Sequence, residues 1–330
     1  MSAHGVTVLG VGAAVPERVI TNDDLAAFLD TSDEWIIRRT GIRERRIAGP
    51  ELATSDLAVQ AARQALQSAG VDAADLDLIL VATSTPDQWM PSTAALVQDA
   101  LGASRAAALD VNAACAGFAY AVAAGGQFVL TGTYRTVLVI GADLMSRVVD
   151  WSDRSTAVLF GDGAGAVVLG ASRGPALIHC ILGADGSGAR LLEIPAGGSR
   201  MPASTETVRD RLHAIRMQGR EVFRFGVEIL VRSLREATAE AGVRLEDLTL
   251  IIPHQANIRI IQAAAERLGL PVDRFWANVD SFGNTSAASI PLALAEAVSS
   301  GRVRHGDLLA FVGFGAGLTW GVNLVTWGGG

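Results

Sequence analysis

The stretch Ala241-Gly242-Val243, followed after a short gap by Asp247-Leu248-Thr249-Leu250-Ile251-Ile252, decides the fold, because the chain carries it twice. The first copy is Ala69-Gly70-Val71 with Asp75-Leu76-Asp77-Leu78-Ile79-Leu80, an offset of 172 residues (241 − 69). Val137-Leu138-Val139-Ile140-Gly141 returns as Leu309-Ala310-Phe311-Val312-Gly313 at the same offset of 172 (309 − 137). Asp110-Val111-Asn112 ahead of Cys115 resembles Asp280-Ser281-Phe282 ahead of Asn284 at an offset of 170 (280 − 110). Three matches in order, at nearly constant spacing, point to two copies of one structural unit.

Working outward, each copy alternates short apolar runs with Ala/Leu-rich helical spacing. Val6–Val11, Leu76–Ala82, Ala106–Val111, Val137–Ile140, Ala166–Leu169, Leu248–Ile252 and Leu308–Val312 read as buried strands. Ser55–Gly70 has helical periodicity, a Ser/Asp start and a Gly stop, and Glu228–Gly242 repeats that design. The alternation predicts an α/β protein with helices covering its sheets. Ligands in open α/β sheets bind beyond the carboxyl ends of strands. In a duplicated chain the loops there should converge, and they carry Cys115, His254, Asn284 and the Gly313–Gly317 turn.

The chain has 330 residues and is 50% hydrophobic, enough for a large core. Its net charge is −7 and it has no basic block, which argues against a nucleic-acid partner. All 27 basic residues are Arg, so no lysine can form a Schiff base. Two cysteines, Cys115 and Cys180, make no disulfide framework and fit a reducing compartment. The start, MSAHGVTVLGVG, lacks the charged-then-apolar pattern of a signal peptide, and no apolar run reaches membrane-spanning length, so a cytoplasmic, non-membrane protein is expected.

Cys115 follows an apolar strand, lies among Ala113, Ala114, Ala116 and Gly117, and precedes a helical segment. A thiol at a helix start meets free N–H groups and the positive dipole end, which favour thiolate. Taken alone it also reads as a buried structural cysteine, as Cys180 does. His254, in Pro253-His254-Gln255, follows a strand, and its duplicate position is Ala82. The two halves therefore differ where chemistry would need them to. Asn284, in Gly283-Asn284-Thr285-Ser286, reads alone as a turn or capping residue. Gly313-Phe314-Gly315-Ala316-Gly317 lacks the Lys of a phosphate loop but can offer N–H groups to an oxyanion. Gly161-Asp162-Gly163-Ala164-Gly165 reads as a structural turn before a strand.

Together these segments resemble the β-ketoacyl-acyl-carrier-protein synthase III family over nearly the whole chain. The resemblance runs through Thr31-Ser32-Asp33-Glu34-Trp35-Ile36, Arg39-Thr40-Gly41-Ile42-Arg43, Ala114-Cys115-Ala116-Gly117-Phe118, Asp153-Arg154, Phe160-Gly161-Asp162-Gly163, Pro253-His254-Gln255-Ala256-Asn257, Gly283-Asn284-Thr285-Ser286 and Gly313-Phe314-Gly315-Ala316-Gly317. It implies a thiolase-like fold, with duplicated βαβ halves in a layered α-β-α-β-α sandwich. Residues 1–172 would be the half with the nucleophilic Cys115, and 173–330 the half with His254 and Asn284. It further implies a decarboxylative condensation of an acyl-CoA primer with malonyl-acyl-carrier protein, with no cofactor or metal and as a homodimer. Catalysis would rest on Cys115, His254 and Asn284, with an oxyanion hole at the N–H groups of Cys115 and Ala316. Coenzyme A would be held by Thr31, Trp35, Arg39 and Arg154, and an acidic carrier protein by Arg224 and Arg259. Met90, Met145, Phe160 and Phe314 would line the acyl pocket, Met90 that of the neighbouring subunit. Met adapts to irregular space, so a primer larger than acetyl is expected, and Leu191–Arg211 is expected in the pocket wall.

Other readings of the same fold are a polyketide or other secondary-metabolism starter synthase and an acyl transferase without condensation. A non-catalytic binding partner need not keep Cys115, His254 and Asn284. A biosynthetic thiolase would want a second reactive cysteine near the Gly313–Gly317 turn, where there is none.

Overall fold

The computed structural model describes residues 5–172 and 177–328. The expected boundary between halves, at 172/173, abuts residues outside that description, as does the start of the N-terminal stretch.

Two sheets carry the duplication. In the first, the strands lie side by side in the order Gly5–Ala14, Asp162–Ser172, Thr136–Leu144, Leu78–Ala82, Ala107–Val111. In the second the order is Leu177–Ala184, Thr319–Thr326, Leu308–Gly315, Leu250–Pro253. A parallel bridge from Ile251 to Phe275 stands where the first sheet has its last strand. Leu78 pairs with Val137, and Leu250 pairs with Leu309, both in parallel register. These are equivalent positions at the 172-residue offset (250 − 78, 309 − 137).

The central strands are apolar without alternation because both of their faces are covered. Val137 and Val139 face an inner cluster with Phe118 and Val122, while Leu138 and Ile140 face an outer one with Leu57 and Ala61. The inner cluster is filled by two helices, Gly117–Leu130 and Ser289–Ser299, which lie between the sheets. Helix Thr54–Ala69 covers the outside of the first sheet, and helices Gly219–Glu240 and Ile258–Leu268 cover the outside of the second. The result is the five-layered α-β-α-β-α sandwich that the resemblance implies. Among the described residues no helix is long and apolar enough to cross a membrane.

Two details differ from the sequence reading. The helix expected from Glu228 begins at Gly219, because Phe223, Phe225 and Val227 extend its apolar face over the outer cluster. Asp162-Gly163-Ala164-Gly165 is the start of a strand and not a turn. Its small residues serve packing, since a Cβ on Gly165 would come within 2.7 Å of the Pro291 Cβ on the central helix.

Candidate active site

Cys115 and Asn284 sit on two turns built the same way. In the first, Asn112 Oδ1 accepts a hydrogen bond from the Ala114 N–H at 3.3 Å. Ala114 has φ of 48°, and Cys115 follows it in a short 3-10 turn, Ala114–Ala116, that runs into helix Gly117–Leu130. In the second, Asn284 Oδ1 accepts from the Ser286 N–H at 2.9 Å. Ser286 has φ of 52°, and the turn Ser286–Ala288 runs into helix Ser289–Ser299. Asn112 is thus the counterpart of Asn284 and Ala287 that of Cys115, at the offset of 172 (284 − 112, 287 − 115). The sequence match of Asp110–Asn112 to Asp280–Phe282 is two residues out of register. A left-handed backbone at a non-glycine costs about 1–2 kcal/mol, and the fold accepts that cost at both turns.

The strand end Leu308–Gly315 closes over the first turn: a Cβ on Gly315 would lie 2.8 Å from Cys115 Cβ. Thr319 Oγ1 donates to Ala113 O at 2.9 Å and contacts Ala316 O at 2.8 Å, tying the two loops together. The second turn reaches the same place from the other side, since Ser286 and Cys115 line one cavity.

His254 extends the strand Leu250–Pro253, its N–H donating to Val312 O at 2.8 Å. Its Nδ1 lies 2.7 Å from Ser289 Oγ, and its ring packs edge-on to Phe314 with centroids 5.2 Å apart. The counterparts of His254 and Ser289 in the first half are Ala82 and Gly117 (254 − 172, 289 − 172). They meet in the same way: a Cβ on Gly117 would sit 3.1 Å from Ala82 Cβ. Burial pushes His254 down to about 3, so the ring is neutral at physiological pH.

Burial pushes the Cys115 thiol up to about 12, with the Ser286 hydroxyl pulling it down and the Asp143 carboxylate pushing it further up. The expected resting thiolate is therefore not what this environment favours. Desolvation outweighs the helix start, and free Cys115 carries its proton.

Asp143 is fully buried. Its Oδ1 accepts from Ser84 N at 2.7 Å, Thr85 N at 3.0 Å, Thr85 Oγ1 at 2.9 Å and Thr83 Oγ1 at 3.1 Å. Its Oδ2 accepts from Ala287 N at 3.0 Å. Burial raises its pKa while these donors lower it. Sequence reasoning missed Asp143, Ser286 and Ser289. The one available signal was a charge at the end of the apolar run Val137–Ala142.

The family model for 3-oxoacyl-[acyl-carrier-protein] synthase III matches residues 109–186, and its C-terminal model matches 238–327. A β-ketoacyl-[acyl-carrier-protein] synthase III from Symbiobacterium thermophilum is 54% identical over 329 residues, covering 99% of this chain and 100% of that protein. The chain belongs to the β-ketoacyl-[acyl-carrier-protein] synthase III family. The crystal structure of the Thermus thermophilus synthase III superposes with a TM-score of 0.92 at 49% identity, over 98% of this chain and 100% of that one. That of Aquifex aeolicus gives 0.91 at 46% identity, with coverage of 98% and 100%. The protein is accordingly an acyltransferase with the thiolase-type fold.

Within that family frame the remaining candidates separate into groups. Trp35 lies on helix Asp33–Thr40, and Arg154 and Arg39 approach its ring at 4.9 and 5.7 Å from the centroid. Thr31, next to this cluster in sequence, has a buried hydroxyl without a hydrogen-bond partner among the described residues. A cavity of about 830 Å³ reaches Cys115 and is walled by Leu144, Met145, Phe160, Ser286 and Ala316. Leu192, Ile194 and Ala196 bring the segment 191–211 into the same wall. Phe314 does not line it; its ring lies against His254 and would touch a Cβ on Gly226 at 3.0 Å. Met90 is 85% exposed and does not line the cavity of its own chain, although its neighbour Trp89 does. Arg224 and Arg259 are exposed on neighbouring helices, and Arg259 lies 5.4 Å from the Phe223 ring. Among the described residues no group of three His, Cys, Asp or Glu side chains could hold a metal.

Proposed function

We infer that the protein condenses an acyl-CoA primer with malonyl-acyl-carrier protein, through an acyl-Cys115 intermediate, to give a β-ketoacyl-carrier protein. The observation that carries this reading is the meeting of both halves at one thiol. Cys115, Ser286 and Ala316 line one cavity, Gly315 packs on Cys115, and the strand carrying Gly315 accepts the His254 N–H at Val312 O.

Cys115 sulfur attacks the primer thioester, and the N–H groups of Cys115 and Ala316 receive the carbonyl oxygen as it turns negative. Coenzyme A leaves, and the malonyl thioester enters and loses carbon dioxide. The resulting enolate oxygen is met by donors from His254 and Asn284. The geometry supports both as donors. Asn284 Oδ1 is occupied by the Ser286 N–H, which leaves the Nδ2 hydrogens free to donate. A Ser289 hydroxyl donating to Nδ1 places the ring proton of neutral His254 on Nε2. The carbanion then attacks the acyl-Cys115 carbonyl. No step calls for a metal or organic cofactor.

Trp35 with Arg39, Arg154 and Thr31 would receive the adenine and phosphates of coenzyme A, and Arg224 with Arg259 an acidic carrier protein. The cavity walled by Met145 and Phe160 has room for primers beyond acetyl. Met90 would complete the pocket of a second copy, and a homodimer is supported by exposed Trp89 and Met90 beside an edge strand, Ala107–Val111, whose Leu109 is 43% exposed. The two sheets support treating 1–172 and 173–330 as the two halves. Two unpaired cysteines fit a cytoplasmic location.

Intact-mass spectrometry after incubation with a panel of acyl-CoAs tests the reading. One acyl adduct on Cys115, followed by carbon dioxide and β-ketoacyl product on adding malonyl-carrier protein, is the expected result. No adduct and no carbon dioxide would overturn it. Longer or branched primers should compete with acetyl-CoA, and strict acetyl preference would refute the large pocket.

A further inference from the structure

Arg45 is completely buried, at 0% exposure, and no carboxylate lies within ion-pair range of it among the described residues. Burial pushes its pKa down to about 10, with Glu44 pulling the other way, so the side chain stays charged at neutral pH. Burying a cation without an acid is costly, and a well-packed apolar side chain of similar size often serves stability as well or better. Its Nε has no hydrogen-bond partner among the described residues. Stability alone is therefore a poor reason for this arginine, and its two Nη atoms point to another.

Arg45 sits on the short strand Glu44–Arg46. One end of its guanidinium is anchored: Nη1 donates to Asn22 Oδ1 at 2.9 Å and to Ile20 O at 3.3 Å. Asn22 is itself fixed, since its Nδ2 donates to Ile42 O at 2.8 Å and to Asp33 Oδ1 at 2.9 Å. The other end reaches across the fold, where Nη2 donates to Val158 O at 2.9 Å. The next carbonyl along, Leu159 O, accepts the Asn284 N–H at 2.8 Å, and Asn284 O accepts the Gly161 N–H at 3.0 Å. Phe160 and Asn284 are thereby joined in a parallel bridge. The arginine stem lies against that bridge. A Cβ on Gly161 would come 3.1 Å from Arg45 Cβ, and one on Gly283 would come 3.4 Å from it. One glycine follows Phe160 and the other precedes Asn284, and together they leave room for the arginine.

We propose that Arg45 is a positioning residue for Asn284: by holding the Val158 carbonyl it fixes the Phe160–Asn284 bridge, and with it the place of the side-chain amide that meets the enolate oxygen. The tie from Asn284 Oδ1 to the Ser286 N–H sets how the amide is turned. It does not set where the backbone that carries the amide lies. The bridge does that, and a misplacement of about 1 Å at a reacting centre can cost on the order of 10²-fold in rate. Arg45 does not line the cavity and touches no reacting atom; it acts through Asn284.

This inference rests on the reading of Asn284 as an enolate donor, so carbon dioxide release from malonyl-carrier protein is compared first in wild type and Asn284→Ala. Equal rates there would remove that reading before Arg45 is touched, and with it the role given to Arg45. Once a loss is seen, Arg45→Met removes both Nη donors and keeps an unbranched stem against the two glycines. Folded Arg45→Met should lose decarboxylation by about tenfold or more, while Cys115 still acylates within about threefold of wild type by rapid-mixing intact mass. In the Asn284→Ala background the same substitution should cost less than about twofold more, because the group it positions is gone. Arg45→Lys keeps the charge but offers a point donor in place of the fork. It should show the same pattern to a smaller degree, and it covers the case in which the Met variant does not fold. Losses that multiply in the double variant, or that fall equally on acylation and decarboxylation, would overturn the inference and leave Arg45 a purely structural residue. Failure of both variants to fold would overturn it in the same way.

Discussion

The turn Asn112–Gly117 and the turn Asn284–Ser289 are the same backbone device with opposite equipment. Each begins with an Asn whose side chain accepts from the N–H two residues on, passes through a left-handed residue and enters a central helix. The first presents Cys115 and is backed by Ala82 and Gly117. The second presents Ala287 and is backed by His254 and Ser289. One half kept the nucleophile, and the other put an imidazole and its hydroxyl partner where the first has nothing beyond a methyl and a hydrogen. On the proposed mechanism the lesson is a division of labour: the first turn would take up the acyl group, and the second would stabilise the enolate that attacks it.

The largest expected effect tests the first turn. Cys115→Ala should abolish acyl adducts and lower condensation turnover by about 10⁴-fold or more, since covalent catalysis is lost outright. Carbon dioxide release from malonyl-carrier protein should survive in part, because its donors lie on the other turn. Loss of decarboxylation equal to the loss of condensation would merge the two functions and break the comparison.

His254→Ala tests the second turn from the opposite side. Removing a donor to a developing oxyanion costs on the order of 10²–10³-fold. That loss should fall on decarboxylation and condensation, while Cys115 still acylates within a few-fold of the wild-type rate by single-turnover mass spectrometry. Asn284→Ala should fall in the same class. Its side chain also accepts the Ser286 N–H, so it should cost stability as well.

Much of this comparison was legible in the sequence. The offset of 172 residues appears in the apolar runs because core strands paired in parallel leave little freedom in residue type. Cys115, His254 and Asn284 could be picked out because each follows a strand end. Left-handed φ at Ala114 and Ser286 was not legible, since neither residue type signals it as Gly or Asn would. Nor were the links of Ser289 to His254 and of Asp143 to Ala287, which join residues far apart in the chain. The helix-start argument for a resting thiolate failed for a related reason. It counted the dipole, which local sequence shows, and missed the desolvation, which depends on the strand end Leu308–Gly315 closing from the other half.

A smaller effect separates the halves by pH. Folded His254 resists protonation until about pH 3, whereas an unfolded chain takes up the proton near the ordinary value of 6.5. Stability is therefore unaffected by this group at pH 7 and falls as pH drops below about 6.5, by up to about 1.4 kcal/mol per unit until the folded ring titrates. In urea unfolding, the stability gap between wild type and His254→Gln should narrow by roughly 1–2 kcal/mol from pH 7 to pH 5. An unchanged gap would mean that the ring is solvated or paired with an acid in solution. Ala82, at the matching place in the first half, can have no such signature.

The smallest effect asks whether the two copies remain equivalent away from the chemistry. Gly70 and Gly242 stand at matching places after the helices Thr54–Ala69 and Gly219–Glu240, with φ of 62° and 68°. A Cβ at either would meet nothing within 4 Å, so sterics with neighbours drop out and the backbone preference alone is measured. Gly70→Ala and Gly242→Ala should each cost about 1 kcal/mol in equilibrium unfolding, as expected for a left-handed position. The two losses should agree within about 0.5 kcal/mol and add in the double variant, since the sites share no partners. A clear inequality would show that the halves unfold with different cooperativity, one sheet opening before the other. Equality would show that divergence was confined to the turns that face the thiol, and that the rest of the duplicated scaffold still bears load as two copies of one unit.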